Sequence, residues 1–348
     1  MLLQLKTFIL FFILMVVILP AGSETVVGKK PKPGAFLGAK EAEYPVWFKE
    51  SFLDFNEDIE EAAAAGKRLL LIFHQDNCPY CAELVEQNFS QKDIVDKMRK
   101  NLDAIGLNMW GDREIASIDG KSYTEKTFAE KLKVQFTPTL IFFNEDAKQI
   151  VRLNGYLPPN EFRVVLDYVS EKKDREMSLR DYAKTLKLEK ADGKFNQQPF
   201  FQSEKDLSKF NGKKPLAVFF EQKHCPNCDV LHQKTLQDKD TLALINQYHA
   251  VQLDMWSDEP VLTPNGKKLT ARDWAGELGI QYAPTIVLFD LQGKEIIRSE
   301  AFFKSFHTQS LFDYILSGGY KKEPSFQRWI SARAEHIRET GKDVDIWK

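Results

Sequence analysis

The sequence predicts an α/β protein with two similar domains, each a central mixed sheet flanked by helices, followed by a C-terminal helical extension. Three observations support this class. Two C-x-x-C pairs, Cys78–Cys81 and Cys225–Cys228, each follow a short apolar run that predicts a buried strand. A Pro-Thr dipeptide, at Pro138 and again at Pro284, opens a further apolar run at nearly the same distance after each pair. The chain has 348 residues, which is enough for two ordinary domains.

The two halves of the chain share these motifs in the same order. The segment LLLIFHQDNCPYC, from Leu69 to Cys81, corresponds to LAVFFEQKHCPNC, from Leu216 to Cys228. Each is followed by an apolar segment that ends in Met-Trp, and then by TPTLIFF or APTIVLF, which begin at Thr137 and Ala283. A shared order at a nearly constant offset indicates an internal duplication.

Local signals predict the elements of the first unit. Arg68 to His74 is a short apolar run after the breaker Gly66-Lys67, and it predicts a buried strand. Pro79 has no backbone N–H to lose and a preset φ, so it suits a first helical turn. The other predicted elements are a helix over Ile94 to Lys100, a strand over Leu102 to Met109, a loop or hairpin over Gly111 to Tyr123, a helix over Thr124 to Leu132, a hairpin of Thr139 to Phe143 with Gln149 to Leu153, and a helix over Asn160 to Lys172.

The N-terminal segment, 1–23, is predicted to be a signal peptide. The apolar run FILFFILMVVIL, from Phe8 to Leu19, follows Lys6 and precedes small residues. An uncleaved anchor is the alternative, but twelve helical residues rise only about 18 Å, against ~30 Å of hydrocarbon core. In either case the remainder is expected outside the cytoplasm, in the periplasm.

Composition shifts predict the other boundaries. An exposed tether is expected over residues 24–45, the first domain over 46–170, a charged connector over 171–199, the second domain over 200–319, and the helical extension over 320–348. The helix of this extension is expected to pack on the second domain. The formal net charge is −2, which gives no electrostatic reason to expect binding to nucleic acid or to an acidic membrane surface.

The motifs together resemble the thioredoxin fold. A strand leads into C-x-x-C at a helix start, and a later strand begins at a conspicuous proline. The tandem arrangement, the opening YPVWFKESFLDF and the closing RAEHIRETGKDVDIW most resemble periplasmic thioredoxins of the bacterial sulfur-oxidation (SoxW-like) group. The resemblance implies two thioredoxin-like domains and an exported protein thiol–disulfide oxidoreductase.

The spacing of the cysteines suits thiol–disulfide exchange. At a helix N-terminus, backbone N–H groups and the positive end of the helix dipole stabilise the thiolate that attacks a disulfide. Two intervening residues, with Pro79 or Pro226 first, allow the second sulfur to resolve the mixed disulfide. Cys78 and Cys225 are therefore the predicted nucleophiles, and Cys81 and Cys228 are the predicted resolving thiols.

The resemblance implies further roles. Pro138 and Pro284 would be cis prolines that face the two dithiols, and the backbone of Thr137 or Ala283 would pair with an extended substrate segment. It also implies reduction of disulfides in a substrate protein, with electrons from a membrane thiol reductase and no cofactor. A disulfide donor or isomerase would suit an oxidising compartment equally.

The sequence also departs from ordinary thioredoxins. Ile72 and Phe219 stand where those proteins bury an aspartate. His74 and Glu221, four residues before their cysteines, are candidate local proton acceptors or partly exposed strand-end residues. His224, if charged, would further favour the Cys225 thiolate.

Alternative roles for the cysteines remain open at this stage. A structural disulfide would stabilise little, because each closed loop has only four residues. A zinc site uses pairs that are close in sequence, whereas Cys81 and Cys225 lie in different halves of the chain. The rival from another functional class is a non-catalytic copper(I)-binding or chaperone-like module on the same folds.

Overall fold

The computed structural model describes residues 32–186, 195–209, 213–223 and 225–348. Two α/β domains stand in tandem, and each has a four-stranded mixed sheet. The first contains α1 (Phe55–Ala64), β2 (Arg68–His74), α2 (Pro79–Glu83), α3 (Lys92–Asn101), β3 (Leu102–Asn108), β4 (Glu114–Ala116), β5 (Ser122–Thr124), α4 (Glu125–Lys131), β6 (Thr139–Phe143), β7 (Gln149–Asn154) and α5 (Pro159–Ser170), after a short strand β1 (Phe36–Leu37).

The second domain repeats this order. It contains β8 (Leu216–Glu221), α7 (Pro226–Gln233), α8 (Lys239–Ile245), β9 (His249–Asp254), β10 (Pro260–Leu262), β11 (Lys268–Thr270), α9 (Ala271–Glu277), β12 (Thr285–Phe289), β13 (Glu295–Ser299) and α10 (Ser305–Leu316). A connector helix α6 (Leu179–Thr185) precedes it, and α11 (Gly319–Lys322), α12 (Phe326–Glu339) and β14 (Val344–Asp345) follow it. The tandem fold predicted from the sequence is confirmed.

The two sheets place the cysteines at equivalent points. The strand order is β3-β2-β6-β7 in the first domain and β9-β8-β12-β13 in the second. The central strands β2 and β8 pair in parallel with β3 and β9 and antiparallel with β6 and β12. Residues Arg68 to Phe73 of β2 and all of β8 are buried, as expected for strands covered on both faces. Each C-x-x-C pair therefore follows the carboxyl end of a rigid, buried strand.

Helix α1 has no counterpart in the sequence prediction, although local signals for it exist. Asp54 caps its N-terminus, because Oδ1 accepts from the N–H groups of Asn56 (3.1 Å) and Glu57 (3.2 Å). Phe55 and Ile59 are buried on its inner face. These two residues are spaced i and i+4, the periodicity of an amphipathic helix.

The charged connector docks on the second domain. The Arg180 guanidinium of α6 lies 4.4 Å from the centroid of the Trp256 ring. Arg180 also donates hydrogen bonds to the backbone oxygens of Met255 and Arg272. Residues 187–194 of the connector lie outside the described residues, as does the predicted signal peptide.

Residues 35–37 of the predicted tether are exposed, as expected, but they are not free of the rest of the fold. Strand β1 pairs in parallel with β14, with Phe36 opposite Val344. The N–H of Ala35 donates to the Asp343 carboxylate (2.7 Å), and a side chain at Gly34 would collide with the Lys342 carbonyl. The segment KKPKP, Lys29 to Pro33, favours an exposed tether, and the pairing begins just after it.

Helix α12 packs on the second domain as predicted, and it also reaches the first. Phe326 and Ile330 are buried in a cluster with Phe312 and Leu311 of α10. At its N-terminal end, the Phe326 N–H donates to Gln135 Oε1 of the first domain (2.9 Å). The extension therefore bridges both domains. None of the helices in the described ranges is long and apolar enough to cross a membrane.

Candidate active site

Both C-x-x-C pairs lie at the start of a helix. Helix α2 begins at Pro79 and α7 at Pro226, so the first cysteine of each pair is the N-cap residue. The Cys81 N–H points at Cys78 Sγ (3.1 Å), and the Cys228 N–H points at Cys225 Sγ (3.0 Å). Because the same N–H group would donate to a thiolate at the N-cap, the geometry favours ionisation of Cys78 and Cys225.

Both pairs are in the disulfide form. The Cα atoms of Cys78 and Cys81 are 5.2 Å apart, as are those of Cys225 and Cys228. Cys81 and Cys228 are fully buried, whereas Cys78 and Cys225 each keep 3% of their surface exposed. The first cysteine of each pair is therefore the less buried of the two.

A proline precedes β6 and β12, and in the first domain its loop faces the disulfide. The Thr137–Pro138 and Ala283–Pro284 peptide bonds are cis. Thr137 Oγ1 lies 3.3 Å from Cys78 Sγ, close enough for the hydroxyl to donate to a thiolate. Ala283 has no hydroxyl, so this contact is specific to the first domain. The two dithiols thus have the same backbone frame but different neighbours.

One family model matches both of the domains that carry this arrangement of cysteines, helix start and proline. Its description is thioredoxin-like domain, and it matches residues 55–170 and again residues 201–314, more than half of the chain. The chain belongs to the thioredoxin-like family. None of the curated proteins compared with this thioredoxin-like chain matches it.

Solved structures of other proteins match parts of this thioredoxin-like chain. A thioredoxin-fold protein from Helicobacter pylori is 23% identical and covers 34% of this chain and 84% of its own, with a TM-score of 0.31. A DsbH oxidoreductase is 14% identical over 38% of this chain and 88% of its own, with a TM-score of 0.26. The oxidised C-terminal domain of DsbD from Neisseria meningitidis is 14% identical over 35% of this chain and 93% of its own, with a TM-score of 0.25.

The second thioredoxin-like domain has a buried polar network near its disulfide. Glu221, at the end of β8, and His232, on α7, are both fully buried. His232 Nε2 lies 2.9 Å from Glu221 Oε1, and Gln252 Nε2 donates to Glu221 Oε2 (3.1 Å). Glu221 is therefore not a partly exposed strand-end residue.

The equivalent position of the first domain is different. His74 is half-buried, and its ring lies 4.9 Å from the Tyr44 ring. Burial lowers the pKa of His74. The other predicted charged neighbour, His224, lies outside the described residues. The described residues contain no cluster of three or more His, Cys, Asp or Glu side chains that could hold a metal ion.

Each C-x-x-C helix also contacts the last helix of the opposite domain. The Tyr80 ring of α2 lies 5.0 Å from the His307 ring of α10, and Asn227 Nδ2 of α7 donates to Glu161 Oε1 of α5 (2.8 Å). Tyr80 and Asn227 are the third residues of their motifs, and Glu161 and His307 are the third residues of their helices. The two domains thus face each other with an approximate two-fold relationship.

No sequence signal indicates these four residues as neighbours of the two sites. Burial lowers the pKa of His307 to about 4, so its imidazole is neutral at neutral pH. Burial raises the pKa of Glu161 from 4.5 to about 7, although the hydrogen bond from Asn227 acts in the opposite direction. Burial outweighs that single hydrogen bond because it removes solvent from the charged form.

The raised pKa of Glu161 predicts a pH-dependent stability. Between about pH 4.5 and 7 the unfolded chain has released this proton, whereas the folded chain retains it. The free energy of unfolding therefore falls as pH rises through this window. Glu161→Gln removes this contribution, so its guanidinium midpoint is expected to change less between pH 5 and pH 7 than that of the unmodified chain. Glu60→Gln, on the exposed face of α1, is the matched control. Equal pH dependence in all three chains would contradict the assignment.

A cleft of about 570 Å³ has no cysteine in its lining. It is lined by equivalent residues of the two edge strands, including Ile150 and Arg152 of β7 and Ile296 and Arg298 of β13. The Arg298 guanidinium is paired with Glu295 and Glu300. The cleft follows from the two-fold arrangement of the domains, and it contains none of the exchange chemistry.

Proposed function

We propose that this thioredoxin-like protein is an exported thiol–disulfide oxidoreductase that reduces disulfides of partner proteins. One observation carries the proposal: each domain holds a C-x-x-C disulfide at a helix N-terminus, with the proline loop facing it in the first domain through Thr137. A backbone N–H aimed at the first sulfur is the feature that a nucleophilic thiolate requires.

The dithiol and the substrate disulfide supply all the sulfur atoms and electrons that the reaction needs. The thiolate of Cys225 attacks a substrate sulfur, so the substrate S–S bond breaks and a mixed disulfide forms. One substrate sulfur leaves as a thiolate and takes up a proton. The Cys228 thiolate then attacks Cys225 Sγ, releasing the second substrate thiol and restoring the Cys225–Cys228 disulfide. Two electrons and two protons pass to the substrate, and Cys78 with Cys81 can follow the same sequence.

The direction of electron flow, the compartment and the subgroup are parts of the same proposal. The apolar run before Pro20 supports export to the periplasm, with cleavage or anchoring of the first segment. The motifs at both ends of residues 44–348 support a relationship to the thioredoxins of the sulfur-oxidation group. In that setting a membrane thiol reductase would restore the dithiols after each turnover.

The reduction potential of each pair tests the direction. The protein is equilibrated in glutathione buffers, alkylated and analysed by mass spectrometry of the two cysteine peptides. Values near about −270 mV are expected for a reductase, whereas values near about −120 mV would identify a disulfide donor. Insulin reduction driven by dithiothreitol tests the activity itself. Stoichiometric copper(I) binding with no thiol exchange would favour a non-catalytic module instead.

A further inference from the structure

The exchange face of the first domain is covered by the rest of the chain. Pro79 and Tyr80, the two residues between the cysteines, are buried, and so are Thr137 and Pro138 of the facing loop. In a thiol–disulfide oxidoreductase of this fold, those four positions border the sulfur that meets the substrate. Their burial means that another surface already occupies the place of a substrate.

Tyr80 is the centre of this contact. Its ring lies 5.5 Å from Phe303, 5.0 Å from His307 and 4.9 Å from Trp347, each in an edge-to-face arrangement. Its hydroxyl oxygen accepts a hydrogen bond from the Lys304 N–H (3.0 Å). Edge-to-face packing and a satisfied hydroxyl are both favourable, so Tyr80 makes a specific contact with the second domain and the end of the extension.

The proline loop that faces Cys78 is covered by the second domain and by helix α12 of the extension. Phe136, which precedes Thr137, stacks on Phe303 at 5.2 Å and lies 5.6 Å from Phe326 of α12. Gln327 Nε2 of α12 donates to the Gln135 backbone oxygen (2.9 Å). An extended segment could not reach the backbone of this loop while these contacts persist.

The second domain is less covered at the equivalent positions. Pro226 is exposed, and Asn227 and Ala283 are half-buried, whereas Pro284 and Cys225 are buried like Pro138 and Cys78. Among the described residues, the first domain contributes Glu161 to the edge of this site through one hydrogen bond. Asn227 carries an amide where the first motif has the Tyr80 ring, so it forms no ring contacts like those of Tyr80.

We propose that the two dithiols have different access to partners: Cys225–Cys228 exchanges with other proteins in the closed arrangement, and Cys78–Cys81 exchanges only after the two domains part. This inference rests on the proposed thiol–disulfide exchange. The contact of Tyr80 and Phe136 with Phe303, Trp347 and Phe326 acts as an intramolecular block on the first site. The reactivity of that site is then scaled by the fraction of molecules that are open.

The test measures how fast each disulfide of the oxidised full-length chain is reduced. Two reductants are used, a reduced single-domain thioredoxin and tris(2-carboxyethyl)phosphine. Each disulfide gains two electrons and two protons; the thioredoxin dithiol becomes a disulfide, and the phosphine becomes its oxide with oxygen from water. Samples are quenched by alkylation, and mass spectrometry follows the two cysteine peptides separately. With thioredoxin, Cys225–Cys228 is expected to be reduced at least about tenfold faster than Cys78–Cys81.

Phe303→Asp places a charge against Tyr80 and Phe136, and it is expected to accelerate reduction of Cys78–Cys81 by about tenfold, with Cys225–Cys228 unchanged. Leu291→Asp is the matched control, because Leu291 is exposed on a turn of the same domain. If circular dichroism shows that Phe303→Asp does not fold, Trp347→Ala removes one of the three rings without adding a charge, and a rise of about threefold is expected.

Equal rates for both disulfides in the unmodified chain, or no acceleration in the folded variants, would overturn the inference. Failure of the proposed function gives a different result. In that case thioredoxin reduces neither pair in any chain, while the phosphine still reports whether Phe303→Asp uncovers Cys78–Cys81.

Discussion

A chain with both Cys78→Ser and Cys225→Ser is expected to reduce insulin no faster than dithiothreitol alone. Each substitution removes the sulfur that the helix N-terminus stabilises as a thiolate, and a serine hydroxyl is not ionised at neutral pH. The buried Cys81 and Cys228 remain, but no described geometry gives either one access to a substrate. Turbidity of reduced insulin, followed over time, measures the effect.

The single variants divide this activity between the sites. Cys225→Ser is expected to lose about tenfold or more, whereas Cys78→Ser is expected to stay within about twofold of the unmodified chain. Cys228→Ser is the control for folding and binding, because it retains the nucleophile and should accumulate a covalent adduct with insulin on a non-reducing gel. A larger loss from Cys78→Ser than from Cys225→Ser would reverse the assignment of the accessible site.

The second large effect concerns the stability of the second domain. Glu221→Leu leaves His232 Nε2 and the Gln252 amide without their common acceptor in a fully buried place. A buried donor left without its acceptor costs about 1–3 kcal/mol, since it stays desolvated, and two donors lose an acceptor here. Hydrogen exchange of peptides from β8 and α7 should therefore be much faster in Glu221→Leu. Glu221→Gln keeps one acceptor oxygen and is expected to lose less.

The duplicated chain supplies a control for this prediction. His74→Leu makes the same replacement at the equivalent position of the first domain, where the side chain is half-buried. Its expected cost is about 1 kcal/mol or less, in the range of substitutions that create no unpaired buried group. If His74→Leu and Glu221→Leu destabilise their domains equally, the hydrogen bonds of buried Glu221 do not stabilise the second domain as expected.

The sequence predicts the fold and the position of each cysteine pair at a helix start, because both depend on local signals. Apolar strand runs, Pro79 after Cys78 and Pro226 after Cys225 all act within a few residues. The predicted strand Arg68–His74 agrees with the structure at both ends. These signals are also repeated, so each half of the chain supports the interpretation of the other.

The remaining parts of the site depend on contacts between distant segments. Tyr80 and His307 are far apart in sequence, as are Asn227 and Glu161, and no periodicity reports that two helix starts face each other. His232 is nearer to Glu221, but the pair forms only because α7 folds back over the end of β8. Burial follows from domain docking, and the altered pKa of Glu161 follows from burial.

The parallel pairing of β1 with β14 sets the direction in which a pull on these two strands loads their hydrogen bonds. Because the two strands are parallel, a pull on β1 from its N-terminal side and on β14 from its C-terminal side displaces them lengthwise past each other. The bonds from Val344 N to Ala35 O (2.9 Å) and from Ile346 N to Leu37 O (3.0 Å) are then strained together instead of one after another. A pull on the two strands in these directions therefore loads the short pairing in shear.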